Sequence, residues 1–139
     1  MAKDRKQGKR GLNIIIVGCG KVGASLTEQL YKEGHDITLV DRSSERLQAL
    51  TDMYDVMGIV GNGASYKIQR EAGIDNADLM IAVTDSDELN LLCCTVAKRV
   101  GDCAAIARVR TPDYSDEVSY LKEKLGLAMI INPEMEAAN

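Results

Sequence analysis

The sequence lacks the residues and segments that several common kinds of protein require. It contains one histidine, His35, and none of its four cysteines forms a C-x-x-C pair, which argues against a zinc site. No apolar run approaches the roughly 20 residues that a membrane-spanning helix needs. The net charge of -4 and the sequence pI near 5.0 argue against a general nucleic-acid-binding protein. We therefore expect no metal site, no nucleic-acid partner and no membrane span in this chain.

The composition predicts one folded domain preceded by a short basic segment. The 139 residues suffice for one domain with its own core, and 45% hydrophobic with 27% charged residues is ordinary for a globular protein. Residues 1–11 are rich in lysine and arginine, which predicts a flexible basic arm. Residues 12–139 form the predicted domain, which ends at the start of a further helix. Because the apolar stretch 12–17 is too short for a signal peptide, we expect a cytoplasmic protein.

Residues 14–23 combine a short apolar run with a glycine-rich motif. Four β-branched residues at 14–17 predict a buried strand, and glycines follow it at the spacing G-x-G-x-x-G. Gly18 allows a tight turn, Gly20 leaves room for a pyrophosphate beside the backbone, and Gly23 lets the next helix lie close to the strand. The free N–H groups and the positive dipole end of that helix then face the anion. This pattern predicts a dinucleotide-binding site.

The rest of the chain alternates short apolar runs with amphipathic segments. The apolar runs predict further strands at residues 37–40, 56–60, 79–83, 104–109 and 127–131. Apolar residues at helical spacing predict the core-facing sides of four helices, and these residues are Val22, Leu26, Leu30, Leu47, Leu50, Met53, Leu89, Leu92, Val96, Val100, Val118, Leu121 and Leu125. A further short helix is predicted between Ala64 and Gly73. Gly34 and Gly101 are expected to cap the helices that precede them.

Six strands that alternate with helices predict an α/β fold. Because crossovers between parallel strands are right-handed, we expect a Rossmann-type, doubly wound six-stranded parallel sheet with strand order 3-2-1-4-5-6. The uninterrupted apolar run at 79–83 is typical of a central strand that is covered on both faces. Ligands of this fold bind beyond the carboxyl ends of strands one and four.

Polar residues follow strands two and three, on the adenosine side of the predicted crevice. Asp41 closes strand two 18 residues after Gly23, where a carboxylate would accept hydrogen bonds from ribose hydroxyls and favour NAD over NADP. Arg42 could accept a 2′-phosphate or stack on adenine. A turn that caps the next helix is the alternative for Asp41. Asn62 and Gly63 close strand three, where they either contact adenine or form a plain turn.

A second group of polar residues follows strands four and five. Thr84 and Asp85 end strand four, and Glu88 lies one helical turn further on, so all three are candidates for the crevice. Helix capping explains part of this acidity without any ligand. Arg108 lies near the end of a buried strand, where an arginine rarely stands without a partner. We expect it to pair with a carboxylate or with a ligand phosphate.

The glycine loop contains two residues with alternative interpretations. Lys21 either neutralises phosphate or is a solvated lysine at the start of a helix. Cys19 either has thiolate character, because it precedes a helix N-terminus, or simply occupies a variable position of the motif. We expect the second of these for Cys19. We expect the other cysteines, Cys93, Cys94 and Cys103, to be small buried hydrophobic residues in a reducing compartment.

Several segments of the chain, taken together, indicate a particular protein family. The segments I-V-G-C-G-K-V-G, L-V-D-R, V-G-N-G-A, A-D-L-M-I-A-V-T-D-S-D-E-L-N, I-A-R-V-R and I-N-P-E occur in this order. Together they resemble the RCK/KTN domains of bacterial potassium-uptake regulators, in particular the TrkA N-terminal domain family, from about Leu12 to Glu136. Many dehydrogenases share the glycine loop, whereas the later segments, with Asn90 shortly after Asp87 and Glu88, are typical of this family.

The resemblance implies a cytoplasmic regulatory subunit of a Trk/Ktr-type potassium transporter. Domains of this family bind NAD(H) or ATP/ADP, perform no redox chemistry, and form dimers and tetramers. They assemble on the inner face of the cell membrane with a transporter subunit similar to TrkH or KtrB. The cofactor-binding residues that the resemblance implies are Gly18, Cys19, Gly20, Lys21, Val22, Gly23, Asp41, Arg42, Asn62, Gly63, Thr84, Asp85, Glu88 and Arg108. On this basis we expect a regulatory domain and not an enzyme.

The sequence also departs from the family pattern. Family members often have arginine at the position of Lys21 and aspartate at the position of Asn62. A lysine lacks the planar fork with which arginine binds a phosphate through two hydrogen bonds. The usual C-terminal lobe is not part of this sequence, so we expect the native polypeptide to continue.

An NAD-dependent dehydrogenase cofactor-binding domain is the alternative. Tyr120 and Lys124 form the Y-x-x-x-K pairing that short-chain dehydrogenases use. Those enzymes have a differently spaced glycine loop and a serine near the end of strand five, where this chain has Ala107 and Arg108. A tyrosine and a lysine four residues apart on a helix are most simply a surface pair. The sequence therefore favours the regulatory domain.

Overall fold

Strands and helices alternate along the chain in the computed structural model, which describes residues 11–110, 123 and 129–131. The strands are β1 (Asn13–Val17), β2 (Asp36–Asp41), β3 (Met57–Val60), β4 (Leu79–Ala82), β5 (Ala104–Arg108) and β6 (Met129–Ile131). The helices are α1 (Lys21–Lys32), α2 (Ser44–Thr51), α3 (Tyr66–Glu71) and α4 (Asp87–Gly101), with a one-turn 3-10 helix at Ile74–Asn76. None of the helices within these ranges has the length and apolarity needed to cross a membrane.

Some predicted segments lie outside the described residues. They are the basic arm up to residue 10, the helix predicted around Val118 and Leu121, and the helix predicted to begin near Pro133. The ends of the predicted strands differ from the observed ends by no more than about two residues, a usual uncertainty for boundaries read from a sequence pattern.

The strands form one parallel sheet in the order β3-β2-β1-β4-β5-β6. β1 lies in the centre, where Val17 stands beside Val40 of β2 on one side and beside Ala82 of β4 on the other. This arrangement confirms the predicted doubly wound α/β fold and its strand order. Because β1, β2 and β4 are neighbours and run in one direction, the loops that follow them meet at one edge of the sheet.

The central strands separate two hydrophobic cores. On one face, Ile14 and Ile16 of β1 pack in a core that includes Leu47 of α2. On the other face, Ile15 and Val17 pack in a core that includes small residues of α4. This division follows from the alternation of side chains along a strand. The strands at the centre of the sheet are therefore covered on both faces, as the apolar run at 79–83 predicts.

The buried face of α4 differs from the predicted one. The spacing of large apolar residues places Leu92 in the core, but Leu92 is 53% exposed. The fully buried residues of this helix are Asn90, Cys93, Cys94 and Ala97. Small side chains on this face let the helix lie close to β4 and β5, which large leucines would prevent. All four cysteines are buried and unpaired, so their predicted role as small hydrophobic residues is confirmed.

Two apolar residues predicted for the core lie outside it. Val22 in the first turn of α1 is 37% exposed, because Gly23 and Thr27 form the buried face of that helix. These two residues are small enough for α1 to approach β1 closely. Met53 is 68% exposed, because α2 ends at Thr51 and does not extend to it.

Of the two predicted glycine caps, the one at Gly34 is confirmed and the one at Gly101 is wrong. Gly34 follows α1 with φ of 92°, the left-handed conformation predicted for it. Gly101 is instead the last residue of α4, and Asp102 takes the left-handed conformation with φ of 51°. A β-carbon on Gly101 would stand 2.6 Å from Cγ1 of Ile74. Glycine is required there for close packing and not for the turn.

Candidate functional site

A crevice of about 680 Å³ opens at the carboxyl edge of the sheet, where β1, β2 and β4 end. Most residues predicted for the cofactor site line it, and these are Gly18, Gly20, Lys21, Val22, Asp41, Arg42, Gly63, Thr84, Asp85 and Arg108. Cys19, Gly23, Asn62 and Glu88 are nearby in the chain but do not line it. The structure thus brings residues from four separate loops together around one cavity, whose volume suits a small-molecule ligand.

The glycine loop is packed tightly against the end of β4. Gly18 has φ of 108°, and its N–H donates a hydrogen bond of 2.8 Å to the carbonyl oxygen of Val40. A β-carbon on Gly18 would stand 2.9 Å from the backbone nitrogen of Thr84. A β-carbon on Gly23 would overlap the carbonyl oxygen of Gly18. These two glycines are therefore needed to build the loop, with Gly23 behind it and not in the crevice.

Gly20, unlike Gly18 and Gly23, is not required by close packing, because the position of a β-carbon on it is open. It is the N-cap residue of α1 with φ of −76°, a conformation open to any residue, and it provides no side-chain cap. Apart from its chain neighbours and its own helix, one atom of the described residues would lie within 4 Å of a β-carbon on Gly20, namely Nη1 of Arg46 at 3.7 Å. The backbone is thus accessible from the crevice at this point, as the pyrophosphate interpretation of Gly20 requires.

The N-terminus of α1 differs from those of the other described helices. Ser43, Ser65 and Ser86 cap α2, α3 and α4 by accepting a hydrogen bond from a backbone N–H in the first turn. The first turn of α1 has no such cap and no acidic residue. Its N–H groups and its positive dipole end consequently lie at the crevice without a side-chain cap from the described residues. This arrangement attracts an anion.

Asp41 connects the glycine loop to the turn before α2. Its Oδ2 accepts a hydrogen bond from the N–H of Cys19 at 2.7 Å, and its Oδ1 accepts one from the N–H of Ser43 at 2.7 Å. The second contact forms the turn that was the alternative interpretation of Asp41. Each carboxylate oxygen can accept a further hydrogen bond, and Asp41 lines the crevice. The turn and a ribose contact are therefore compatible.

The side chain of Cys19 points away from the crevice. It is 6% exposed and packs in the core on the α1 and α2 side of the sheet. Burial and, to a smaller extent, the charge of Asp41 raise its pKa to about 12, against an opposing effect of the charge of Arg46. Cys19 is therefore a neutral thiol at physiological pH, and the expectation that it occupies a variable motif position agrees with the geometry.

Asn90 holds the ends of β4 and β5 together. It is fully buried, and its Oδ1 accepts hydrogen bonds from the N–H of Thr84 at 2.8 Å and from Oγ1 of Thr84 at 2.7 Å. Its Nδ2 donates to the carbonyl oxygen of Arg108 at 2.9 Å and to that of Thr84 at 3.2 Å. Two crevice residues thus depend on one buried amide. The signal available in the sequence was a polar residue at helical spacing from the small apolar residues of α4.

Asp87 and Glu88 follow one another but have different surroundings. Asp87 is buried, and both its carboxylate oxygens accept hydrogen bonds of 3.0 Å from the N–H of Arg110. The guanidinium of Arg110 donates to the carbonyl oxygen of Asp85 at 2.6 Å. Glu88 is exposed, and its Oε1 lies 3.5 Å from the hydroxyl of Ser86. Asp87, which was not among the predicted site residues, helps to hold the crevice wall, whereas Glu88 stands beside it.

Arg108 lines the crevice from the side opposite Asp41. Its Nη1 donates a long hydrogen bond of 3.5 Å to the carbonyl oxygen of Val83, and its buried Nε has no partner among the described residues. In the same part of the chain no carboxylate lies within 4.0 Å of it. A buried donor without an acceptor costs about 1–3 kcal/mol. Of the two predicted partners, the carboxylate is not found within these ranges.

The loop after β3 lines the crevice with its two glycines, whereas Asn62, whose side-chain amide was the predicted contact, does not line it. Oδ1 of Asn62 accepts a hydrogen bond from the N–H of Ala64 at 2.9 Å, which forms a turn. Gly61 and Gly63 on either side line the crevice. Gln69, fully buried in α3, donates to the carbonyl oxygen of Gly63 at 2.8 Å and fixes this loop. The plain-turn interpretation of Asn62 therefore fits the geometry.

Several residues that were not among the predicted site residues also line the crevice. They include Ser43, Arg46, Gly61, Ser86 and Leu89. Arg46 is the one with a charge, and it stands in the first turn of α2 after the carboxylate that ends β2. An arginine five residues after a strand-ending aspartate was a signal from which a positive side chain at the crevice could be predicted. Among the described residues, no group of three or more histidine, cysteine, aspartate and glutamate side chains could hold a metal ion.

The parallel sheet and the crevice at its carboxyl edge make this chain a Rossmann-type domain, whose first helix begins at the crevice without a side-chain cap. Comparison with known families then identifies its family. Residues 14–133 match the TrkA-N domain, and the chain belongs to the TrkA-N domain family. The predicted family is therefore confirmed.

Relatives of known name support this assignment. The chain is 40% identical over 126 residues to the Trk system potassium uptake protein TrkA of Haemophilus influenzae, and this covers 88% of the chain and 28% of the relative. It is 36% identical over 125 residues to a TrkA homolog of Methanothermobacter thermautotrophicus, covering 90% of the chain and 56% of that protein. The chain thus spans only part of the length of these relatives.

Solved structures of the same fold include a domain of the same family. The TrkA-N domain of inner membrane protein ybaL from Escherichia coli has a TM-score of 0.80 at 26% identity, and 92% of each chain is covered. The GsuK channel bound to NAD has a TM-score of 0.73 at 18% identity, covering 87% of this chain and 21% of that one. The Shewanella denitrificans Kef CTD in its AMP-bound form has a TM-score of 0.75 at 19% identity, covering 91% and 74%.

Proposed function

We propose that this domain binds an adenine nucleotide, NAD(H) or ATP/ADP, and thereby regulates a potassium uptake system. The observation that carries the proposal is the uncapped N-terminus of α1, where Gly20 leaves the backbone open to the crevice. Arg108, with a buried Nε that lacks a partner among the described residues, faces the same cavity. Both features favour a ligand with phosphate groups.

The ligand arrangement follows from the positions of the crevice residues. The diphosphate would lie against the N–H groups that follow Gly20, with Lys21 nearby to neutralise charge. Asp41, one wall further along the sheet, would accept hydrogen bonds from the ribose hydroxyls with the acceptor capacity that its two backbone contacts leave free. Val22 and Leu89 would supply apolar contact area. Two solved proteins of this fold carry NAD and AMP, which supports an adenine-containing ligand.

A binding role without catalysis fits the described crevice better than a dehydrogenase. Two of its polar side chains hold the walls, since Thr84 hydrogen-bonds to Asn90 and Asp41 accepts from two backbone N–H groups. Cys19 is turned away from the cavity. Tyr120 and Lys124, on which the dehydrogenase alternative depends, lie outside the described residues. Steady NADH oxidation with a panel of carbonyl substrates, abolished by Tyr120→Phe, would favour the dehydrogenase instead.

Regulation would act through assembly with a transporter. The relatives are named as potassium uptake proteins of a Trk system, which supports an association with a potassium transporter. We infer that the domain acts there as part of a cytoplasmic subunit that forms homo-oligomers and binds a transporter subunit similar to TrkH or KtrB at the inner face of the membrane. A nucleotide that binds one arrangement of the assembly more tightly shifts the equilibrium toward it, by at most its difference in affinity for the two arrangements.

The binding step is tested by calorimetry of the 139-residue chain with NADH, NAD, ATP and ADP. We expect binding of at least one of them and its loss in Gly20→Asp, because the new carboxylate would occupy the anion position at the start of α1. Asp55→Ala, at an exposed position before β3, is the control and should bind as the unmodified chain does. Absence of binding by the unmodified chain at millimolar concentration of all four nucleotides would rule out the proposal.

The regulatory step is tested in cells of the source organism. Rubidium uptake, which reports potassium transport, should become insensitive to the cellular nucleotide ratio when Gly20→Asp is introduced into the gene. An unchanged response to that ratio would separate nucleotide binding from regulation.

A further inference from the structure

Arg46 connects two walls of the crevice. It belongs to the first turn of α2, where its N–H donates a hydrogen bond of 3.2 Å to the hydroxyl of Ser43. Its guanidinium extends from there toward the glycine loop. Nη1 lies 3.7 Å from the place where a β-carbon on Gly20 would stand. The guanidinium and the uncapped first turn of α1 therefore border the same small volume.

The guanidinium of Arg46 has no charged or hydrogen-bonding partner in the described part of the protein. No carboxylate between residues 11 and 110 forms an ion pair with it, and its guanidinium makes no hydrogen bond there. The carboxylate of the same wall, Asp41, accepts from the backbone N–H groups of Cys19 and Ser43 instead. By contrast, Arg110 at the other side of the crevice is held by Asp87 and by the carbonyl oxygen of Asp85.

The positive charge of Arg46 also acts on the glycine loop. Arg46 lowers the pKa of Cys19, against the larger effect of burial, so its positive field reaches the glycine loop. The loop has an open backbone position at Gly20 and no side-chain acceptor for the N–H groups that follow. A positive guanidinium, free N–H donors and the positive end of a helix dipole thus converge from two walls.

We propose that Arg46 completes the phosphate site by binding a diphosphate oxygen opposite the N–H groups of α1. This inference rests on the proposed nucleotide binding and assigns one contact within it. The fork of the guanidinium can bind a phosphate through two hydrogen bonds, a geometry that Lys21 cannot provide. The diphosphate is favoured over a ribose 2′-phosphate because the guanidinium lies beside Gly20 and not beyond the carboxylate of Asp41.

The test uses calorimetry of the 139-residue chain with ADP, NADH and NADPH at several salt concentrations. We expect Arg46→Gln to weaken ADP binding about ten-fold or more, as loss of a charged hydrogen bond does. The salt dependence of ADP binding should also become shallower, because fewer ions are displaced. Arg46→Lys should restore part of the affinity. Arg99→Gln, which removes an exposed arginine from the last turn of α4, is the matched control and should change neither quantity.

The outcomes separate this contact from the wider proposal. Unchanged ADP affinity in Arg46→Gln, or a weaker affinity with the salt dependence of the unmodified chain, would overturn the contact while nucleotide binding itself stands. A much larger loss for NADPH than for NADH would place the guanidinium at the 2′-phosphate and would also overturn it. If the unmodified chain binds none of the three nucleotides, the proposed function fails first.

Discussion

The N–H of Cys19 donates a hydrogen bond of 2.7 Å to the carboxylate of Asp41, so the residue that ends β2 holds the loop that follows β1. The other oxygen of the same carboxylate accepts from the N–H of Ser43 at 2.7 Å. A residue predicted only as a ligand contact or a turn thus fixes two walls of the crevice relative to each other. Its replacement should affect stability as well as binding.

The first prediction concerns that carboxylate. Asp41→Ala should lower the free energy of unfolding by about 1–3 kcal/mol, because two partly buried N–H groups lose their acceptor. Urea unfolding without any nucleotide measures this effect. Asp55→Ala, at an exposed position, should change stability by less than about 0.5 kcal/mol. Equal stability of the two variants would show that the Asp41 contacts contribute nothing to the loop.

The second prediction separates the three motif glycines. Gly23→Ala should destabilise the domain strongly, by about 3 kcal/mol or more, because its methyl group would overlap the backbone of Gly18. Gly18→Ala should also be costly because of its positive φ. Gly20→Ala should cost less than about 1 kcal/mol, since its φ of −76° suits alanine. Urea unfolding of the three variants gives the order, and a Gly20→Ala domain as unstable as Gly23→Ala would contradict the geometry.

The third prediction reverses the usual expectation for polar and apolar residues on one helix. Asn90→Ala should cost about 2–4 kcal/mol, because it leaves the buried polar groups of Thr84 and Arg108 without partners. Leu92→Ala, two residues along α4, should cost less than about 1 kcal/mol because Leu92 is 53% exposed. Thermal unfolding of both variants tests the order. A larger loss for Leu92→Ala would mean that another surface covers that residue.

The fourth prediction concerns alkaline pH. Burial raises the pKa of Cys19 and Cys93 to about 12 from an ordinary value of 9.0, and it raises the pKa of Cys94 and Cys103 as well. Above pH 9 the unfolded chain loses these protons while the native state keeps them. The free energy of unfolding should therefore fall as the pH rises from 9 toward 12, and the thiol contribution should be constant below pH 9.

The alkaline effect is measured by urea unfolding at pH 8 and pH 10 in a reducing buffer. Each fully buried thiol should contribute a loss of about 1 kcal/mol at pH 10. Cys93→Ala is the control, because it removes one such thiol and should show a smaller difference between the two pH values. Rapid labelling of the native protein by a thiol reagent at pH 8 would contradict the burial on which this prediction depends.

Part of the candidate site was readable from local patterns. The glycine spacing, the apolar run before it and the carboxylate after β2 lie within a continuous stretch, so each can be interpreted without knowing the rest of the chain. The positions of Gly20, Asp41 and Arg108 around one cavity agree with that interpretation. The contacts of Asn90 with Thr84 and Arg108 could not be read in this way. They join positions 6 and 18 residues apart, and only the packing of α4 on β4 and β5 brings them together.

The order of strands and helices, the parallel sheet and the glycine-rich start of α1 could be predicted from the chain alone, because they follow from residue spacing and the handedness of crossovers. Packing between the elements establishes which face of α4 is buried, that Asp41 holds the loop after β1, and that Arg46 reaches Gly20 from another element. Such contacts depend on how closely elements pack. The distance between a helix and a sheet is set by the small side chains between them, a property of the folded domain that no single segment contains.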